Sequence, residues 1–112
     1  MPNRRSLSWV AFAVVVACRS GTRPVELAPN APMPIRDACA LAGRRCSRCH
    51  SIERVERARI DQPTQWRDYV HRMRLMPTSG IPPEDEPVIV QCLVFRSKGQ
   101  AGLVDLARGD AR

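Results

Sequence analysis

The most specific chemistry in the chain lies in five residues, Cys46-Ser47-Arg48-Cys49-His50, a C-x-x-C-H. Two thiols separated by two residues on a tight helical turn can each add to one vinyl group on the same edge of a porphyrin. The adjacent histidine then falls beneath the ring with its imidazole aimed at the iron. This is the spacing of c-type haem attachment. Two other chemistries use part of the pattern: C-x-x-C also serves as a thioredoxin-like redox pair, and it forms half of many zinc sites. The redox pair belongs to a βαβ context, which the helical patterning here lacks. Zinc needs ligands beyond His50, and apart from Cys18 at the end of the N-terminal apolar run the chain offers His71 and two distant cysteines, Cys39 and Cys92. One covalent haem c is therefore the expected cofactor. An iron held by His50 needs a sixth ligand, for which Met73, Met76 and His71 are the candidates. A neutral thioether favours ferrous iron, so methionine raises the potential relative to a second histidine. Methionine at helical spacing is also ordinary core filler, and one of the two is expected in that role. His71 stands two residues before Met73, on a different helix face, and is expected to be exposed.

These residues must be positioned by helices. Asp37-Ala38-Cys39-Ala40-Leu41-Ala42-Gly43 supplies helix formers just ahead of Cys46, with Asp37 as the expected N-cap. A second helix is expected from Pro63, which suits a first helical position, to Met76. Along it Trp66, Val70, Met73 and Pro77 form an i, i+4, i+7, i+11 stripe, with Tyr69 and Met76 beside it. The last helix is expected from about Asp85, as N-cap, to Phe95. Val88, Ile89, Cys92, Leu93 and Phe95 make a broad apolar face, and Pro87 sits in the first turn, where a missing N–H costs nothing.

With these elements in place, residues 37–96 resemble a small class I cytochrome c domain. In that family a first helix leads into C-x-x-C-H, a middle segment carries a methionine, and a final helix crosses the first. The resemblance implies an all-α fold, a small cytochrome c-like helical domain wrapped around covalently bound haem c. Met76-Pro77 looks like the Met-Pro pair of many class I cytochromes. Trp66 followed seven residues later by Met73, then Gly80-Ile81 and a capped final helix, looks like the small cytochrome subunits and domains of periplasmic dehydrogenases, which favours Met73 as the ligand. The family's helix crossing sets a small residue against an aromatic just before a Leu. Here Cys92-Leu93 takes the aromatic-Leu place, and Cys39 lies beside Ala38, so the resemblance makes a Cys39–Cys92 disulfide, suited to an oxidising compartment, the expectation, with two free buried thiols as the alternative.

Residues 1–17 read as a signal peptide, with Arg4 and Arg5 as its basic start and an apolar run of eleven residues from Leu7 to Ala17, too short for a permanent span. Val15-Val16-Ala17-Cys18 resembles the bacterial lipobox, which makes Cys18 the expected lipidation site. In lipoproteins an Asp after that cysteine favours the inner membrane; Arg19 here favours the outer one. Residues 18–35, with Pro24, Pro29, Pro32 and Pro34, read as a lipidated cysteine and semi-extended tether. The folded domain is then expected over 36–97, and 98–112 as a loosely held tail. About sixty residues make a marginal core without a staple or a cofactor.

The whole chain of 112 residues carries 18 Lys and Arg against 11 Asp and Glu, a net +7, seventeen of the basic residues being Arg. With two Trp, one Tyr and two Phe and no clustered basic stripe, nucleic acid is not an expected partner. The expectation is a lipid-anchored, periplasm-facing monohaem cytochrome c that carries single electrons rather than an enzyme, facing redox proteins such as a periplasmic dehydrogenase or a terminal oxidase, or serving as the cytochrome subunit of a dehydrogenase. Two rivals stand beside it: a haem-based ligand sensor, and a non-haem lipoprotein whose C-x-x-C exchanges thiols.

Overall fold

A computed structural model describes residues 22–110, and all regular structure among them is helical. Residues 1–21, with the signal peptide and the Cys18 lipidation site, lie outside the described residues. Four helices follow in order: α1 (Met33–Cys46), α2 (Ile52–Glu56), α3 (Pro63–Leu75) and α4 (Asp85–Asp110). α4 packs against both α1 and α3, while α2 touches α1.

α1 begins four residues before Asp37, which corrects the N-cap expected there. The Pro32 carbonyl accepts from the Ile35 and Arg36 amides, both at 3.0 Å, and Pro34 fills a first-turn position that needs no N–H. Asp37 is exposed on the second turn. The buried face of α1 is Ile35, Ala38, Cys39, Ala42 and Gly43, an i, i+3, i+4, i+7, i+8 stripe. α3 opens at Pro63 and buries Trp66 and Val70. Trp66 is 1% exposed, and its Nε1 donates to Ser97 Oγ on α4 at 3.0 Å, so the largest core side chain leaves no orphaned polar atom. α4 buries Ile89, Val90, Cys92, Leu93 and Val94, while Val88 and Phe95 sit half-buried at the edge of that face.

Cys39 and Cys92 form a disulfide between α1 and α4, with Cα atoms 5.1 Å apart. Both are fully buried, so the bridge lies inside the core.

Two boundaries differ from expectation. Of the expected tether, residues 22–32 lie on the domain and 33–35 open α1. Val25 is 2% exposed and its amide donates to the Cys39 carbonyl at 3.1 Å, Ala31 is buried, and Leu27 packs on the core. Arg23 binds Glu53 at 2.8 Å and Glu56 at 2.7 Å. The expected loose tail is also helical through Asp110. Gly99, at φ 63°, breaks the regular helix of α4 and redirects the chain, which lets Gly102 and Leu106 become buried. Arg67 on α3 fastens this last stretch through the Leu106 carbonyl at 3.2 Å and through Asp110. Among the described residues no helix is long and apolar enough to cross a membrane.

Candidate functional site

Cys46 is the last residue of α1, where the Ser47 amide closes the helix onto the Gly43 carbonyl at 3.2 Å. The chain then turns through Cys49 and His50 and re-enters the core at Ile52 and Val55 of α2, 4% and 1% exposed. The turn is thus pinned at both ends by buried side chains. Cys46 is half-buried, Cys49 is exposed, and both thiols are free.

His50 Nδ1 lies 3.1 Å from the Ser51 carbonyl. A carbonyl can only accept, so Nδ1–H is the donor; in the neutral imidazole this geometry puts the lone pair on Nε2, the tautomer a metal-ligating histidine needs.

Cys46, Cys49 and His50 open onto a cavity of about 600 Å³. Its other walls are mostly apolar: Val55, Ala58, Tyr69, Val70, Ile81 and Leu93. Met73 and Met76 both line it, Met73 half-buried against the core and Met76 55% exposed. His71 does not; it sits on the outer face of α3, with Nδ1 3.0 Å from Glu86 Oε1. Burial raises the Glu86 carboxyl, but hydrogen bonds from Arg74 and His71 outweigh it and hold the group below its ordinary value.

Comparison with protein-family models, curated proteins and solved structures finds no match. The site must therefore be read from its own chemistry.

The volume falls within the roughly 300–1,000 Å³ of cofactor sites, and apolar walls with a few convergent polar groups are the usual composition of such sites. The donor set fits a haem as well: two thiols three residues apart, an imidazole with a free Nε2, and thioethers on the same cavity.

Thiol exchange fits less well. Burial pushes the Cys46 thiol up to about 11, and Cys46 stands at the carboxyl end of α1, where the helix dipole opposes a thiolate. A reactive C-x-x-C thiol needs the reverse, a lowered value. Nor does zinc gain ligands: among the described residues no three of His, Cys, Asp and Glu gather as a metal site requires.

Other residues shape the site through contacts that the sequence pattern does not show. Tyr69 packs edge-on against Trp66, centroids 5.6 Å apart at 83°, and turns its ring to the cavity. Burial, and to a lesser degree Cys46, raises its hydroxyl above the ordinary value. Arg45 Nε pairs with Asp85 Oδ2 at 2.7 Å and ties the end of α1 to the start of α4. The loop after Met76 carries two left-handed residues, Thr78 at φ 61° and Gly80 at φ 65°. Ser79, buried between them, donates to the Arg74 carbonyl at 2.7 Å and accepts from the Ile81 amide at 3.3 Å. The guanidinium of Arg48, from within C-x-x-C-H, lies where a Gly80 side chain would project: a Cβ there would come within 1.9 Å of Arg48 Nη1. The attachment turn and the methionine loop are therefore in direct contact. Arg45 and Asp85 are 40 positions apart and Arg48 and Gly80 are 32 apart, so no local periodicity exposes these two contacts.

Proposed function

We propose that the chain is a membrane-tethered monohaem cytochrome c that accepts and donates single electrons on the periplasmic side of a bacterial membrane. One observation carries this reading: C-x-x-C-H ends a helix on the rim of an apolar cavity that two methionines also line.

Bound covalently, haem c supplies an iron that alternates between the ferrous and ferric states. Cys46 and Cys49 are the residues that would hold it by thioethers, and His50 Nε2 and Met73 are those that would ligate its iron. Met73 is preferred to Met76 because a side chain half-buried on the cavity wall keeps its place, while Met76 is largely in solvent. The Ser51 carbonyl orients His50 and enriches its ligating nitrogen. Val55, Val70, Ile81 and Leu93 exclude water, which together with a thioether ligand favours a raised potential. Arg44, Arg48 and Arg54 are exposed around the motif and give its rim a positive charge. Such a rim speeds encounter with acidic redox proteins, a periplasmic dehydrogenase or terminal oxidase among them, and the gain falls as salt rises. Lipidation at Cys18 would anchor the carrier, with the outer membrane as the address.

A redox titration of the haem-loaded protein tests the assignment. The expected result is one reversible single-electron transition and a ferrous spectrum that carbon monoxide leaves unchanged. Ready binding of carbon monoxide by the ferrous protein would contradict a closed His/Met carrier and favour a ligand sensor.

A further inference from the structure

The segment expected to be a free tether is built into the domain as a strap. Its path is prepared by Gly43 on α1: a Cβ there would stand 2.1 Å from the Arg23 carbonyl oxygen, so only a glycine admits the strap this closely. Beyond that point Val25 is buried, and its amide is bonded to Cys39. Arg23 reaches both Glu53 and Glu56 of α2, and Glu56 Oε1 also accepts the Glu26 amide at 2.9 Å. The strap's first described residues, Thr22 and Arg23, line one shallow groove together with Ser47, Arg48, Cys49 and His50. The strap therefore starts beside the outer edge of the attachment turn.

We infer that the docked strap holds the Cys46–His50 turn against the phospholipid headgroups of the membrane that carries the anchor. The inference rests on the proposed reading, in which Cys18 is acylated and Cys46 and Cys49 hold haem. Thr22 then stands four positions after the anchor, a reach of at most about 14 Å at 3.3–3.6 Å per residue. Were the strap free as far as Met33, the same arithmetic would allow about 50 Å. Docking thus shortens the reach more than threefold and turns one face toward the lipid. That face suits phosphate headgroups: Arg44, Arg48 and Arg54 are exposed on or beside the turn, and no side-chain ion pair engages them among the described residues. The same three arginines form the rim proposed for acidic redox proteins, so electron exchange by the anchored protein would take place with partners that meet this rim at the membrane surface.

The test uses the full chain, acylated and haem-loaded, in vesicles of phosphatidylethanolamine and phosphatidylglycerol that carry a fluorescent headgroup. Intact mass first establishes the acyl groups and the haem. Hydrogen exchange at the Val25 amide then reports docking, and quenching of the headgroup dye by haem reports proximity. In the parent chain the Val25 amide should exchange at least about tenfold more slowly than an open amide, and quenching should be strong. Gly43→Ala, and independently Arg23→Ala should the first variant fold poorly, should lose that protection and reduce the quenching at least about twofold, since energy transfer falls steeply as the reach lengthens. An unprotected Val25 amide in acylated, haem-bearing protein would overturn the strap alone. So would equal quenching in the parent and a variant whose Val25 protection is lost. A chain without acyl groups or haem would overturn the strap inference together with the reading beneath it.

Discussion

Replacing both Cys39 and Cys92 by alanine tests how much of this small domain's stability comes from the staple between α1 and α4. The two residues are 53 positions apart. Closing a loop of that length removes unfolded-chain entropy worth roughly 4 kcal/mol at 25 °C in the chain-entropy model. In a domain of this size each kcal/mol moves the midpoint by about 4–8 °C, so the double variant should melt roughly 15–30 °C lower. Both sulfurs are fully buried, so their loss also leaves a small void and adds to the effect. The backbone bond from the Val25 amide to the Cys39 carbonyl survives the change and should not contribute. Thermal unfolding followed by far-ultraviolet circular dichroism, with parent and variant in the same haem state, measures the shift. A loss below about 1 kcal/mol would refute the reasoning, as would two additional titratable thiols in the denatured, unreduced parent.

Gly80→Ala should destabilise the fold by about 1–3 kcal/mol through its left-handed backbone alone, with the collision against Arg48 added. Urea unfolding of the Gly80→Ala/Arg48→Ala double variant should recover the collision but not the backbone cost. Met73→Leu should abolish the spectral signature of thioether ligation in the haem-loaded protein and lower its potential, while Met76→Leu should leave the visible spectrum in place; the reverse outcome would exchange their roles. The strap should also respond to acid. Hydrogen bonds from Arg23 hold Glu53 down at about 2 and Glu56 below its ordinary value of 4.5. Folded values below the unfolded ones mean that these pairs stabilise the docked strap fully above pH 4.5, and that this contribution is lost as pH falls from 4.5 toward 2. Val25 amide exchange, corrected for its intrinsic pH dependence, should lose protection across that window, and Glu53→Gln with Glu56→Gln should remove the pH response.

The parts of the fold legible in the sequence are those where one helix buries one face. Trp66 and Val70 on α3 and Ile89, Cys92 and Leu93 on α4 follow the period of 3.6 and are buried. α2 was not legible because five residues are too few to show a period. The start of α1 was hidden by Pro32 and Pro34, which read equally as linker and as helix opening. The strap was missed for a related reason: four prolines look like a tether, while what holds it is non-local, one buried Val25, one glycine cradle at Gly43 and two glutamates about thirty residues on. The tail is not legible as packed helix because the break at Gly99 resets the helical phase, so the buried Leu106, seventeen residues on, falls off the stripe begun at Ile89. At the site, Cys46, Cys49 and His50 were legible from spacing alone. Their shared cavity with Met73 and Met76, the tautomer of His50 and the contact between Arg48 and Gly80 needed the fold.

Covalent attachment of haem at Cys46 and Cys49 can be read from a haem stain on a denaturing gel. The full chain would be expressed in a host with c-type maturation machinery, beside a variant carrying Cys46→Ala and Cys49→Ala. The expected result is a stained band in the membrane fraction that withstands denaturation and disappears in the variant. No stain on the parent chain, under conditions where a control cytochrome stains, would contradict it.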